Sequence, residues 1–327
     1  MISISELLQC NINPVPRYLL LRDVIRLPEG NHQLIKAKED ALQTKWIEDI
    51  IKLQQNNGSW WYFHSLNSVV KYPITTEQAL RRLRILGLDY SDSCIQKAVS
   101  YMERYLQGLE DLPDRKEKLH DWSIFTHLIV AAQIRQFSPE NKLAMDIAKK
   151  WKEIIEYAFS SNTYEQKRYE EAYTATFSMK PRGGRLVDFV NFYPLALLYG
   201  LLTEKTECMM LDYIITHSKG IYYIYEECLN TLPVEFASKQ TSRYLTALEL
   251  LSGYTYAKEK LSFAVEWLIK NVGEEGFWDM GTIVKDNLIY PLSNSWRSVS
   301  NRKIDCTVRI MSLLTRLGHA DYINKNV

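Results

Sequence analysis

Cysteine is sparse and scattered in this chain of 327 residues: Cys10, Cys94, Cys208, Cys228 and Cys306 are its five. An odd number with no Cys-x-x-Cys argues against a disulfide framework and against a cysteine-rich zinc site, so reduced, buried thiols are expected. An excess of one charge is equally missing. Forty basic and 39 acidic residues leave a formal charge of +1, which does not suit a nucleic-acid partner. No apolar run approaches the roughly 18 residues of a membrane span, and the opening MISISELLQC has neither a basic nor a continuous apolar signal region. A cytoplasmic chain without a transmembrane segment is expected. Period-two alternation is also nearly absent, with GIYYIYEE at 220–227 the one tempting strand.

What the chain does have is apolar residues at helical spacing almost throughout. With 46% apolar and 24% charged residues it can build a substantial core, and the class is all-α. The periodicity predicts eleven helices, over 16–26, 33–54, 75–86, 93–106, 122–137, 141–160, 188–201, 206–217, 238–252, 257–271 and 303–317. Connections alternate between short ones, such as GLDYSD and SPE, and long ones of roughly ten to thirty residues. In an array of antiparallel hairpins the long ones share a rim, and long loops on one rim are where function concentrates.

Two repeats support such an array. TEQALRRLRILG, SRYLTALELLSG and TVRIMSLLTRLG each set a hydroxyl (Thr76, Ser242, Thr307) eleven residues before a glycine (Gly87, Gly253, Gly318). Glycine there predicts a left-handed helix cap, since it has no Cβ to clash. These Leu- and Ile-rich segments read as inner helices, while KAKEDALQTKWIEDIIKLQ and YAKEKLSFAVEWLIK, charged on one face, read as outer ones. The second repeat is Gly-x-Trp, as Gly58-Ser59-Trp60 and Gly276-Phe277-Trp278. Six inner helices with five or six outer partners describe a single domain over 1–327, an (α/α)6 toroid: a closed ring of helical hairpins around a central cavity.

WIEDIIKLQQNNGSWW followed by TTEQALRRLRILG, and WLIKNVGEEGFWD followed by DCTVRIMSLLTRLG, resemble the prenyltransferase and squalene cyclase toroid superfamily. Its glutamine-tryptophan motif is matched by Gln54 or Gln55, Gly58 and Trp60, and without a glutamine by Gly276 and Trp278. The resemblance implies that these residues tie an outer helix to its neighbour, and that an isoprenoid occupies the cavity. The superfamily's Asp-x-Asp-Asp acid, which protonates an alkene, is absent. A prenyltransferase-like zinc site would need an Asp and a Cys two residues apart, whereas Asp305 and Cys306 are adjacent and point about 100° apart on a helix. Neither metal nor cofactor is expected.

The polar residues at the starts of predicted inner helices are the candidates for chemistry. Glu77, Asp305 and the loop histidine His64 are the candidate catalytic groups; His127, inside an apolar helix, reads more readily as a packed residue. Arg17, Arg81, Arg243 and Arg309 are placed to receive an anionic head group where helix N-termini converge, and KPRGGR at 180–185 is either a closing loop or a plain basic turn. Trp61, Trp122, Tyr193, Tyr244 and Trp296 are candidates for the apolar part of the ligand, with core packing the alternative for each. The expected partner is therefore an amphiphilic small molecule. Glu77/Arg81 and Asp305/Arg309 also fit ordinary i, i+4 ion pairs. A carbohydrate-active toroid, which needs two carboxylates at a set separation, and a non-catalytic binding scaffold stay open, and whether the chain is an enzyme is left undecided.

Overall fold

A computed structural model describes residues 1–64, 74–118 and 120–324. Among them the chain is all-α, with no strand. The helices are α1 (Ile4–Gln9), α2 (Pro14–Leu19), α3 (His32–Leu42), α4 (Lys45–Lys52), α5 (Thr76–Ile85), α6 (Ser93–Leu106), α7 (Trp122–Arg135) and α8 (Lys142–Ala158). They continue with α9 (Gln166–Phe177), α10 (Phe192–Leu197), α11 (Glu204–Thr216), α12 (Lys239–Leu251), α13 (Ala257–Lys260), α14 (Ser262–Lys270), α15 (Val299–Arg316) and α16 (Ala320–Asn324). A π-helical turn over Leu20–Val24 extends α2. No helix among the described residues is long and apolar enough to cross a membrane.

Burial sorts these helices into two sets. In α7 the residues from Leu128 to Arg135 are all buried, so the helix is enclosed on every side. Most of α15 beyond Ile304 is buried likewise. By contrast α8 buries only Ala144, Ala148, Trp151, Ile154, Ile155 and Ala158, one stripe at three- and four-residue spacing, and keeps charge on the other face. The enclosed helices touch one another in sequence: α7 packs on α10, α10 on α12, α12 on α15, and α15 returns to α2 and its π turn. Arg22 in that turn donates to the Gly87 carbonyl at 2.7 Å, which sets α2 beside the end of α5.

Where the structure departs from sequence periodicity, a side chain has captured the backbone. The expected helix over 33–54 breaks at Thr44, whose hydroxyl donates back to the Ala41 carbonyl at 2.7 Å. The one expected over 188–201 shrinks to six residues because Arg135 donates to the Leu197 and Tyr199 carbonyls. Residues 220–227 form only the isolated bridges Asn191 with Tyr222 and Ile221 with Tyr225. Helices α1 and α9 carried no periodic signal. Gly87 and Gly318 are left-handed caps, with φ of +102° and +80°, closed by Leu88 N–H on the Leu83 carbonyl and His319 N–H on the Leu314 carbonyl. Gly253 is not among the positive-φ residues. Its missing side chain instead admits the Tyr199 ring, which an added Cβ would meet at 2.8 Å.

The two Gly-x-Trp turns share one hydrogen-bond pattern. Trp60 donates from its indole to the Ile50 carbonyl, and Trp278 to the Leu268 carbonyl, both at 2.7 Å. Their backbone N–H groups donate to the hydroxyls of Thr76 (2.8 Å) and Thr307 (3.1 Å). Each tryptophan thus fastens the helix before its turn, α4 or α14, to the helix after it, α5 or α15. Both glycines have positive φ and sit where a Cβ would strike backbone, the Lys97 carbonyl oxygen at 2.2 Å for Gly58 and the Ile2 nitrogen at 2.4 Å for Gly276.

Candidate functional site

The first Gly-x-Trp turn also delivers a histidine. Past Trp60 the chain runs across the start of α5, where the Tyr62 and Phe63 carbonyls accept the N–H groups of Thr76 and Glu77 at 2.8 and 3.0 Å. These are orphan donors at a helix N-terminus, so the segment is held by the helix it crosses. Asp114 grips it from the other side, accepting the N–H groups of Phe63 (2.7 Å) and His64 (2.8 Å). His64 is thereby pressed onto Glu77.

Three of the sequence candidates meet here. His64 Nδ1 lies 3.0 Å from Glu77 Oε2, and the Tyr193 hydroxyl donates to Glu77 Oε1 at 2.6 Å while lying 3.2 Å from the same imidazole nitrogen. All three side chains are buried. Burial opposes charge on His64, but the hydrogen bond and field of Glu77, with Asp114 and Glu117 behind, hold its pKa above the ordinary value. Burial likewise pushes Glu77 up, and His64, Tyr193 and Arg81 outweigh it, so the carboxyl ends below its usual range. Nδ1 therefore carries its proton towards Glu77. The other nitrogen, Nε2, is buried without a hydrogen-bond partner among the described residues.

Beside this triad is a group of arginines. Arg81 lies over the Phe192 ring at 5.6 Å and feels the fields of Glu77, Tyr193, Asp286 and Glu249. Arg84, one turn on, senses Tyr199, Arg316, Arg81 and Glu249, although it is itself solvent-exposed. Burial lowers the pKa of Arg81 below the usual guanidinium value, yet a guanidinium stays protonated at neutral pH. Among the described residues, Arg81, Arg84 and Arg316 make no side-chain hydrogen bond and no ion pair within 4 Å. Glu249, which Arg309 holds with two bonds of 2.7 and 2.9 Å, is the carboxylate whose field also reaches Arg84 and Arg316.

The other candidates have different surroundings. Asp305 is fully buried and accepts four hydrogen bonds: from the N–H groups of Leu292 and Ser293, from the Ser293 hydroxyl and from the Trp296 indole. Its oxygens are committed to shaping the loop before α15, and burial keeps the Cys306 thiol protonated, with its pKa pushed up to about 12. The same loop is clamped by Arg82, which donates to the carbonyls of Leu288, Ile289 and Pro291. Trp296 borders an open cleft of about 1200 Å³ between this loop and α4, shared with Trp46, Asp49 and Lys285. Tyr244 is buried with its hydroxyl on the Leu229 carbonyl. Arg17, Trp61 and Arg243 are exposed. His127 donates from Nδ1–H to the Ser123 carbonyl of its own helix at 2.7 Å.

One residue of the site had no sequence signal strong enough to single it out. His120 is 1% exposed and packs its ring 4.6 Å from Phe125, which is 5.3 Å from His64 on the other side. Trp122, another sequence candidate, lies against both His120 and Phe125 at about 6 Å. The clue was Gly183 in KPRGGR: at φ +123° an added Cβ would fall 2.7 Å from the His120 Cβ, so that basic loop packs directly on the histidine. No protein-family model, no curated protein and no solved structure matches the chain.

Proposed function

We propose that the helices close into an (α/α)6 toroid like that of prenyltransferases and squalene cyclases, and that its central cavity binds an amphiphilic anion of isoprenoid type. The ring reading is supported by the succession of enclosed helices from α7 through α10, α12 and α15 back to α2. Ile2 N–H also donates to the Gly276 carbonyl at 2.9 Å, so the start of the chain meets its last Gly-x-Trp turn.

The observation that carries the ligand class is the cluster of Arg81, Arg84 and Arg316. Arg84 feels the repulsion of both Arg81 and Arg316, and an anionic head group would relieve it. Phe192, whose ring lies under Arg81, and Tyr199, whose field reaches Arg84, are the aromatic neighbours of this group. A carbohydrate-active reading needs two working carboxylates, but Glu77 and Glu249 are each closed into an ion pair. A scaffold with no ligand leaves the arginine cluster without a purpose.

Titration calorimetry with farnesyl diphosphate tests the reading. A charge-assisted hydrogen bond contributes roughly 1.5 to 3 kcal/mol, so Arg81→Ala and Arg84→Ala should each weaken binding about tenfold or more. Arg168→Ala, in a surface ion pair with Glu165, should change nothing. Failure of the wild-type protein to bind farnesyl diphosphate would overturn the proposal.

A further inference from the structure

Three imidazole nitrogens around one phenyl ring have no hydrogen-bond partner among the described residues: His64 Nε2, His120 Nδ1 and His120 Nε2. Both rings are buried, and both stand edge-on to Phe125. An unmade hydrogen bond on a buried polar atom costs roughly 1 to 3 kcal/mol. His64 is required as an imidazole by its bond to Glu77, but packing alone does not call for one at His120, since a phenyl ring or leucine would fill that space without the cost. The nearest carboxylate to His120, Glu117, is 3.7 Å from Nδ1, beyond a hydrogen bond.

The backing of the two rings differs. His64 is held by Glu77 on α5 and Tyr193 on α10, with Asp114 and Glu117 from the loop before α7 and the Tyr223 ring 6.0 Å away. His120 faces Glu117, Asp121, Arg182 and His64 itself, and burial is the strongest influence on it. The surroundings of His64 thus favour its charged form and those of His120 its neutral form. Paired groups pushed apart in this way are the ordinary arrangement of an acid and a base.

We propose that His64 and His120 are a general acid and a general base acting on a phosphoric ester of an apolar alcohol. This rests on the reading that the cavity takes an amphiphilic anion. In the hydrolytic step a water O–H bond breaks, its proton goes to His120 Nε2, and the water oxygen bonds to phosphorus. The bond from phosphorus to the alcohol oxygen breaks with its electron pair on that oxygen, which takes the proton from His64 Nε2. The products are the free alcohol and the phosphate or diphosphate. His120 then returns its proton to solvent and His64 regains one, so the enzyme is restored. Glu77 and Tyr193 are positioning residues, which keep the His64 proton and ring orientation in place.

Farnesyl diphosphate is the probe, with farnesol and diphosphate release as the readout and calorimetric binding measured alongside. The rate should rise with pH as His120 loses its proton and fall as His64 loses its own, giving a broad maximum about neutrality. His64→Asn and His120→Asn should each lower kcat by about a hundredfold or more, with KM changed little. Glu77→Gln should move the alkaline limb to lower pH, an effect that a purely structural role would not produce. Nitrogen-15 spectra of the wild-type imidazoles should show one histidine titrating above 6.5 and one below it, and Glu77→Gln should lower the former. Binding without product release, or both rings titrating together near 6.5, overturns this assignment and leaves the anion-binding reading standing. Absence of binding overturns both.

Discussion

The two Gly-x-Trp turns make the same local bonds with different neighbours. At the first, the Gly58 carbonyl accepts from the Gln54 side chain at 2.9 Å, and that amide also donates to the Cys94 carbonyl at the start of α6. At the second there is no glutamine, yet the Gly276 carbonyl still receives a donor at 2.9 Å, the backbone N–H of Ile2. The main-chain bonds correspond: Gln55 N–H to the Ser59 carbonyl matches Gly273 N–H to the Phe277 carbonyl, and Gly58 N–H to the Gln55 carbonyl matches Gly276 N–H to the Gly273 carbonyl. A motif that looks incomplete in the sequence is complete in space. What a repeat requires is a donor in a given place, and either a side chain or a distant piece of main chain meets that requirement.

The strongest way to break the comparison is to remove an indole. Trp60 and Trp278 are both almost fully buried, and truncating a buried tryptophan typically costs about 3 to 5 kcal/mol. Trp60→Ala and Trp278→Ala should therefore lower stability to urea by similar amounts. A much larger loss for Trp278→Ala would show that the second turn also holds the chain start in place. A smaller effect is expected at the hydroxyls. Thr76→Val and Thr307→Val each leave a buried tryptophan backbone N–H without an acceptor, a loss of roughly 1 to 3 kcal/mol, larger at Thr76, whose hydroxyl also donates to the Trp60 carbonyl. The smallest change separates them. Gln54→Ala should cost about 1 kcal/mol, whereas Val272→Gln, which places a glutamine at the matching position of the second turn, should give no gain because Ile2 already occupies its acceptor. A gain of 1 kcal/mol from Val272→Gln would refute the equivalence of glutamine and chain start.

The sequence revealed features that depend on spacing and concealed those that depend on distant capture. Helical class was legible because apolar residues recur every three to four positions over most of the chain. The indoles were legible because their pattern occurs twice. His64 and Glu77 could be singled out one by one, but their contact required Asp114 to hold the loop, and an acidic residue fifty positions on leaves no local pattern. Arg309 looked like a group facing a ligand and is bonded to Glu249, sixty residues earlier. Asp305 looked like a candidate acid because the four donors that occupy it come from an aperiodic loop. His120 was hidden in a charge-rich loop, with only the paired glycines of KPRGGR marking the close approach.

The bond between Ile2 and Gly276 has a consequence for how the chain is made. Synthesis proceeds from the N-terminus at about 5 to 20 residues per second, so α1 and α2 exist well before the residues that cover them. Until α15 has been made, the face of α2 and its π turn that packs on α15 lacks its partner. The early helices must wait, and contacts of such long sequence separation are the slow ones to form. A ribosome stalled before residue 276 should carry a nascent chain that is helical yet open to protease at its beginning, and release of the remaining segment should protect it.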